Sequence, residues 1–384
     1  MIKRTITELA LKLVDQYPVL TISGPRQSGK TTLAKAIFPE YDYVNLEHPA
    51  ERDFAFNDPQ GFLNKYSDKT IIDEFQRVPE LTSYLQVHVD EQKKMGMYIL
   101  TGSNQFEYMT NISQSLAGRT AILKLLPFSY SELFGNKEED LMAFLQKGSY
   151  PVLYDREMEI EVFFTSYVET YLQRDVRQLI NVRDLTQFEN FLKLCAGRTG
   201  QILNYTGLSN DSGVDVRTIK QWLSVLQASF IIHLLPPYYN NWGKRIMKSP
   251  KLYFYDTGIV CNLLGISKPE YLAKHPLRGE IFETYVFSEL VKSLYNQGRR
   301  SNLYYWRSSN NHEVDFIADR GTGLNIIEVK FNATPRKALF KNLRNMQKLS
   351  EQVDKSYLVY SGNLWEERYG SKLTGYQEVS RIEV

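Results

Sequence analysis

Cysteine is almost missing from this chain: 384 residues carry two, Cys195 and Cys261. They lie far apart and join no metal-ligand spacing, which excludes a disulfide framework and points to buried thiols in a reducing setting. Long apolar runs are missing too. None approaches the ~20 residues that span a bilayer, so no membrane partner is expected. Lys3 and Arg4 are early cations, but Glu8 and Asp15 break up the next stretch of chain and no small-residue cleavage site appears. The expectation is therefore a cytoplasmic protein without a signal peptide. A strong charge of one sign is also lacking: the net charge of +2 is too small to announce a nucleic-acid partner by itself. Repeats and low-complexity tracts are absent, so an ordered chain is expected throughout.

What is present is the ordinary balance of a globular protein, 43% hydrophobic and 23% charged residues. Single cores rarely grow past about 250–300 residues, so two or three domains are expected. A strand near Pro18–Ser23 leads into a loop over Gly24–Thr31 and a helix over Thr32–Phe38. Short apolar runs come next at Tyr43–Leu46, Thr70–Asp73, Met97–Thr101 and Ala121–Leu125, separated by helical or loop segments. That alternation predicts a parallel α/β sheet covered on both faces. From about residue 136 helices dominate, at Glu157–Arg177 and Thr186–Cys195, then two or three short ones within Ile202–Leu235 with a turn at Ser209–Gly213. Near residue 276 the texture changes again. A helix at Arg278–Tyr295 precedes strands at Leu303–Arg307, Glu313–Ala318 and Asn325–Lys330, a helix at Arg336–Leu349 and a last strand at Ser356–Ser361. The predicted domains are 1–135, 136–275 and 276–384.

Gly24-Pro25-Arg26-Gln27-Ser28-Gly29-Lys30-Thr31 matches the P-loop pattern completely, with Thr32 next in the chain, and it lies between a strand and a helix as that pattern requires. Its glycines let the backbone N–H groups wrap a phosphate, and the helix N-terminus favours an anion. ATP with Mg²⁺ is the expected ligand: Lys30 reaches the β- and γ-phosphates and Thr31 ligates the metal. Arg26 occupies a variable position of the loop and receives no separate role. Ile71-Ile72-Asp73-Glu74 ends a later strand. Asp73 is expected to support the metal and Glu74 to polarise the attacking water. The strand at Tyr43–Leu46, placed between the two motifs, suits the additional-strand ATPases. Thr101-Gly102-Ser103-Asn104 closes the next strand; Asn104 or Ser103 there is a candidate contact to the γ-phosphate and water, and a helix cap is the other reading. Arg119, just before the next strand, is a candidate transition-state arginine in cis or across a subunit interface, with a structural ion pair as the alternative.

With these motifs in place the chain resembles the bacterial and archaeal AAA-family ATPases that carry a C-terminal domain of unknown function with a nuclease-like fold. The resemblance spans nearly the whole length. It rests on Gly24–Thr32, Ile71–Gln76, Leu100–Asn104, Leu116–Arg119, Pro127–Phe134, Gly148–Leu153, Tyr167–Val176, Lys251–Gly258 and Arg278–Glu283. It implies an AAA-like P-loop ATPase domain, a helical, winged-helix-like middle and a small α/β end of restriction-endonuclease type. AAA relatives often form rings, so a homo-oligomer stays open, as does a protein partner.

Residues Tyr205–Leu235 read as a helix-turn-helix, its second helix at Thr218–Ala228 with Trp222, Leu223 and Leu226 inward and Arg217 and Lys220 outward. A hairpin around Phe230–Tyr238 is the candidate wing. Between 217 and 251 lie Arg217, Lys220, Lys244, Arg245, Lys248 and Lys251 with no acidic residue, interleaved with Trp222, Tyr238, Tyr239 and Trp242. This suits a DNA partner, and a solvated basic face or a packing module accounts for it as well. In the last segment Asp315, then Glu328 and Lys330 after twelve intervening residues, look like a PD-(D/E)XK nuclease pattern, with Glu283 on the preceding helix as a fourth group and Glu280 one turn earlier. Positions two apart in a strand share a face, so Glu328 and Lys330 project together. Paired carboxylates can hold Mg²⁺ and activate water against a phosphodiester. A nuclease fold kept for binding fits the same residues. The leading expectation is an Mg²⁺-dependent ATPase governing the C-terminal half. Its rivals are an ATP-gated DNA endonuclease, a slow ATP-dependent switch that recruits a protein, and, more distantly, a P-loop kinase.

Overall fold

The computed structural model describes residues 2–103, 115–135, 137–172, 185–239, 249–308 and 312–384. These form two compact units. The first holds residues 1–128 with 228–230 and 295–299; the second holds 129–227, 231–294 and 300–384.

The first unit is built on a parallel sheet of five strands, β1 (Val19–Gly24), β2 (Asp42–Asn45), β3 (Thr70–Asp73), β4 (Tyr98–Ser103) and β5 (Thr120–Lys124), in the order β2-β3-β4-β1-β5. Both faces are covered, because neighbouring residues of one strand point to opposite sides. Leu20, Ile22, Ile71, Ile99 and Leu123 pack with Ile6, Ala10, Leu33 and Phe38 on one face. Val19, Ile72 and Leu100 pack with Phe62, Leu63, Phe75, Leu81 and Leu85 on the other. Fully burying one such side chain contributes roughly 1.5–3 kcal/mol. This is the P-loop NTPase fold with an additional strand: β4 stands between β1 and β3, so the ends of three strands line up along one sheet edge. The five expected strands are present, their bounds shifted by a residue or two.

The second unit joins a helical part to a six-stranded sheet. Two helices at Tyr205–Ser212 and Val216–Ala228 are separated by a left-handed Gly213. Ser209–Ser212, expected as turn, is helical, and the turn falls just after it. Ile219, Trp222, Leu223 and Leu226 are buried, while Arg217 and Lys220 are exposed. The segment ends in a strand, not a helix: β6 (Ile232–Leu235) pairs antiparallel with β7 (Lys251–Phe254). The candidate wing thus takes its second strand from further along the chain than Phe230–Tyr238. Trp242, Lys244, Arg245 and Lys248 lie outside the described residues, as does the C-terminal end of the helix expected at Glu157–Arg177, of which Ile160–Tyr167 is α-helical.

The six-stranded sheet runs in the order β12-β13-β11-β10-β9-β8, from β8 (Leu303–Arg307), β9 (Glu313–Asp319), β10 (Leu324–Lys330), β11 (Val353–Tyr360), β12 (Trp365–Arg368) and β13 (Ser371–Gly375). The strands β12 and β13 come after the one expected to be last; their short, half-polar sequences hide them. A long helix, Arg278–Asn296, packs beside this sheet, with Phe287 stacked on Tyr253 of β7 at 4.7 Å.

Candidate functional site

The P-loop geometry is set by its glycines. At Gly24 a Cβ would lie 2.1 Å from the Leu125 carbonyl oxygen, and Gly29 starts the helix Lys30–Ile37 from a left-handed φ of 90°. The loop is held from behind by a residue that its sequence does not advertise. Buried Arg4 donates to the Ser28 carbonyl at 3.0 Å and to the Leu126 carbonyl at 2.6 Å. Lys30 is buried and its Nζ donates to the carbonyls of Gly24, at 3.1 Å, and Pro25, at 2.7 Å. Burial pushes its ammonium down to about 8, with the Glu74 carboxylate pulling the other way. Ser28 Oγ is buried without a hydrogen-bond partner, an unspent polar group of the kind a phosphate oxygen satisfies.

Across the sheet edge, Asp73 is gripped by neutral donors. Thr31 Oγ1 donates to both carboxylate oxygens at 3.0 Å, Tyr43 OH donates to Oδ2 at 2.8 Å, and the Glu74 amide donates to Oδ1 at 3.1 Å. Thr101, on the intervening β4, also donates to Oδ1. The P-loop and Asp73 are thus joined through the hydroxyl that the motif reserves for metal. Glu74 comes next, in a left-handed turn with φ 55°, an uncommon conformation for such a residue. Its Oε2 accepts from the Gln76 amide, which also donates to Ser103 Oγ at 3.1 Å. Gln76 is 8% exposed, so it fixes the Glu74 side chain against the end of β4. Sequence reasoning missed Gln76, Tyr43, Thr101 and Arg4; the first sat in plain view in Asp73-Glu74-Phe75-Gln76.

Two expected members do not join. Asn104 lies outside the described residues. Arg119 sits at the wrong end of the sheet: it precedes β5, whose first residue Thr120 pairs with Val19 at the start of β1, whereas the P-loop leaves the far end of β1. Its guanidinium grips Asp90 through two bonds of 2.6 and 2.7 Å. A transition-state role in cis is corrected to an ion pair.

In the second unit Glu283, Asp315, Glu328 and Lys330 do come together, but with company. Lys330 Nζ lies 2.7 Å from Glu328 Oε1 and 3.8 Å from Asp315 Oδ2. Asn342 donates to the same Glu328 oxygen at 2.8 Å, and the Val329 amide donates to Asp315 Oδ2 at 2.7 Å. Lys251, which the sequence places in a basic stretch, is buried here. Its Nζ lies 3.2 Å from Glu283 Oε1, 2.5 Å from Glu313 Oε1 and 3.9 Å from Asp315 Oδ1. Tyr253 OH donates to Glu283. Burial, then the Asp315 charge, pushes Glu283 up to about 7 and Glu328 up to about 8, with the lysines opposing. Burial works against the Lys251 ammonium too, but Tyr253, Glu283, Asp315 and Glu313 outweigh it and raise its pKa. Lys251, Glu283, Glu313 and Lys330 line an open groove with Arg278, Glu280 and Phe331.

Trp222 is a core residue and Tyr238 packs against the sheet, 5.8 Å from Tyr304. Neither is a free aromatic on a basic face. Among the described residues of this stretch, Arg217, Lys220, Gln221 and Ser224 line an open groove on the second helix.

Comparison with known proteins agrees with the first unit's architecture. Residues 16–134 match a family model described as an AAA domain, which supports an AAA-like ATPase. Residues 138–270 and 278–376 match two models described only as domains of unknown function, DUF8612 and DUF4143. An uncharacterized protein of Mycobacterium tuberculosis, Rv2008c, is 29% identical over 356 residues, covering 91% of this chain and 78% of that protein. An uncharacterized protein of Haemophilus influenzae is 22% identical, covering 82% of each. Among solved structures, the Walker-type ATPase paby2304 of Pyrococcus abyssi is 15% identical with a TM-score of 0.45, over 68% of this chain and 96% of that one. AMPPCP-bound DnaA from Aquifex aeolicus is 14% identical with a TM-score of 0.31, over 58% and 85%. No described helix is long and apolar enough to cross a membrane.

Proposed function

We propose that this chain binds and hydrolyses ATP with Mg²⁺, and that its nucleotide cycle governs the second unit. The observation that carries the reading is the Thr31–Asp73 link at 3.0 Å, beside a Glu74 braced by Gln76. Residues 24–32 would wrap the triphosphate, and Lys30 would offset the charge of its outer phosphates. Thr31 and Asp73 would hold the metal, the aspartate through water. When bound, Mg²⁺ neutralises charge building on the phosphate oxygens. Glu74 would take the proton of the attacking water, its carboxylate held in place by the Gln76 amide.

The test is phosphate release from ATP with Mg²⁺, for wild type and Glu74→Gln, each with and without DNA. Turnover lost in the variant supports Glu74 as the base, and stimulation by DNA favours the nucleic-acid reading. Nucleotide binding without phosphate release in wild type under every condition sinks hydrolysis as the chain's solitary activity. Recruitment of a protein partner in one nucleotide state, the slow-switch alternative, is read by retention of a partner with ATP and its loss with ADP. We place the protein in the cytoplasm, and we keep three functional segments, 1–135, 136–275 and 276–384, as the working division.

A further inference from the structure

The acid cluster of the second unit has the composition of a metal site and the electrostatics of a closed one. Four carboxylates, Glu283, Glu313, Asp315 and Glu328, converge with two ammonium groups, Lys251 and Lys330. Together the two lysines supply the charge that one divalent ion would bring. A lysine ammonium has three donors and no acceptor. Lys251 directs its own at Glu283 and Glu313, with Asp315 at ion-pair distance. A hard divalent ion instead requires oxygens free to approach to about 2.0–2.6 Å. Among the described residues no group of three or more His, Cys, Asp or Glu side chains is spaced to hold a metal.

Lys251 is no stray surface cation. Its side chain is 3% exposed. Its backbone is pinned on both sides, by pairing with Leu235 of β6 and by a bridge to Ile202. The Gly200 and Leu203 amides donate to the carbonyls of Leu252 and Pro250, at 2.7 and 2.8 Å, so the strand carrying it cannot slide without breaking several bonds. Withdrawing it would strand buried carboxylates, which is strongly unfavourable.

We infer that Lys251 is a resident cation that occupies the acid cluster in place of a divalent metal, so that this nuclease-like arrangement is a lysine-locked structural element without metal-dependent cleavage. The inference rests on the second unit alone, and it stands or falls independently of ATP hydrolysis by the first.

The experiment uses full-length, nucleotide-free protein. Mn²⁺ binding is followed by electron paramagnetic resonance, and thermal unfolding is followed in EDTA and in Mn²⁺. Wild type is expected to show no Mn²⁺ binding that Asp315→Asn removes, and no nicking of supercoiled plasmid with Mg²⁺ or Mn²⁺. Lys251→Met is expected to lower Tm by about 5–10 °C in EDTA. Mn²⁺ should restore at least half of that loss and bind at least tenfold tighter than in wild type. Adding Asp315→Asn to Lys251→Met should abolish the restoration. Asp315-dependent Mn²⁺ binding or Lys330-dependent nicking in wild type overturns the inference. So does a folded Lys251→Met protein with no response to Mn²⁺. The wild-type arm decides the matter even if the variant fails to fold.

Discussion

Each unit of this protein gathers acids and lysines at strand ends, yet the two gatherings are held together differently. In the first, Asp73 is held entirely by uncharged donors: the hydroxyls of Thr31, Tyr43 and Thr101 and the Glu74 amide. Lys30, close by, turns to backbone carbonyls. Hydroxyls and amides orient a carboxylate and leave its net charge in place for a cation. In the second unit neutral donors from Tyr253, Val329 and Asn342 also reach the carboxylates, but two ammonium groups join them and bring neutralising charge. A constellation of acid and lysine therefore does not by itself declare a metal site; the cations already paired with the acids count against one.

The sharpest way to break that contrast is to make the same substitution in both units. Glu74→Gln should cut phosphate release by at least about 100-fold, the scale of a lost general base, while ATP binding persists. Glu328→Gln should leave phosphate release within about twofold. Both are read by phosphate release together with a fluorescent-nucleotide titration. Equal losses would mean that the two acid groups belong to one chemical machine.

Gln76 offers a smaller effect and a finer test. It is buried and donates to Glu74 and Ser103, so Gln76→Leu should lower kcat roughly tenfold with KM for ATP nearly unchanged, since slight misplacement of a reacting group is costly. The double variant with Glu74→Gln should lose no more than Glu74→Gln alone, because the two act as one unit. A raised KM with intact kcat would assign Gln76 to binding.

The second unit should also report its crowded acids through pH. Burial, then the Asp315 charge, pushes Glu283 up to about 7 and Glu328 up to about 8. In the unfolded chain both carboxyls have released their protons above about 5. Unfolding between these values releases protons, so raising the pH favours the unfolded state. Stability of the second unit should fall with rising pH, through Glu283 from about pH 5 to 7 and through Glu328 from about pH 5 to 8, on the order of 1 kcal/mol per pH unit for each group within its window. Denaturant titrations of wild type and Glu328→Gln at three pH values check the sign, and the variant should flatten the dependence. A stability that rises with pH over this range would show that the lysines dominate both carboxyls.

How much of the molecule was legible in the sequence differs between the units for the same physical reason. A parallel sheet buried on both faces writes itself as apolar runs, and a phosphate loop requires glycines at set positions. All five strands were readable on that account, and so was the pairing of the loop's Thr31 with a strand-end Asp73. Lys251 was not. Beside Arg217, Lys220 and Lys244 in the sequence it reads as one more solvated cation, and only the pairing of β7 with β6 turns it inward. Glu313 was passed over similarly, as the first residue of a strand. Strands β12 and β13 were invisible because short edge segments such as Trp365–Arg368 carry little apolar pattern. Arg119 erred differently: its place before a strand is plain in the sequence, but chain order does not say which end of that strand faces the nucleotide.

Arg119 also carries the smallest expected effect. It forms a two-bond pair with Asp90 at the surface, where solvent screens the charges, although each still shifts the other toward its ionised form. Arg119→Ala should change Tm by less than about 2 °C, as for other exposed pairs. Phosphate release by dilute protein should stay within about twofold of wild type, because the guanidinium lies at the sheet end opposite the P-loop of its own chain. The measurement that sharpens the point is turnover against protein concentration. If turnover rises with concentration in wild type and Arg119→Ala removes that rise, the arginine serves a neighbouring copy. A tenfold loss at every concentration would instead return it to its own active site, and the strand-end argument would be wrong.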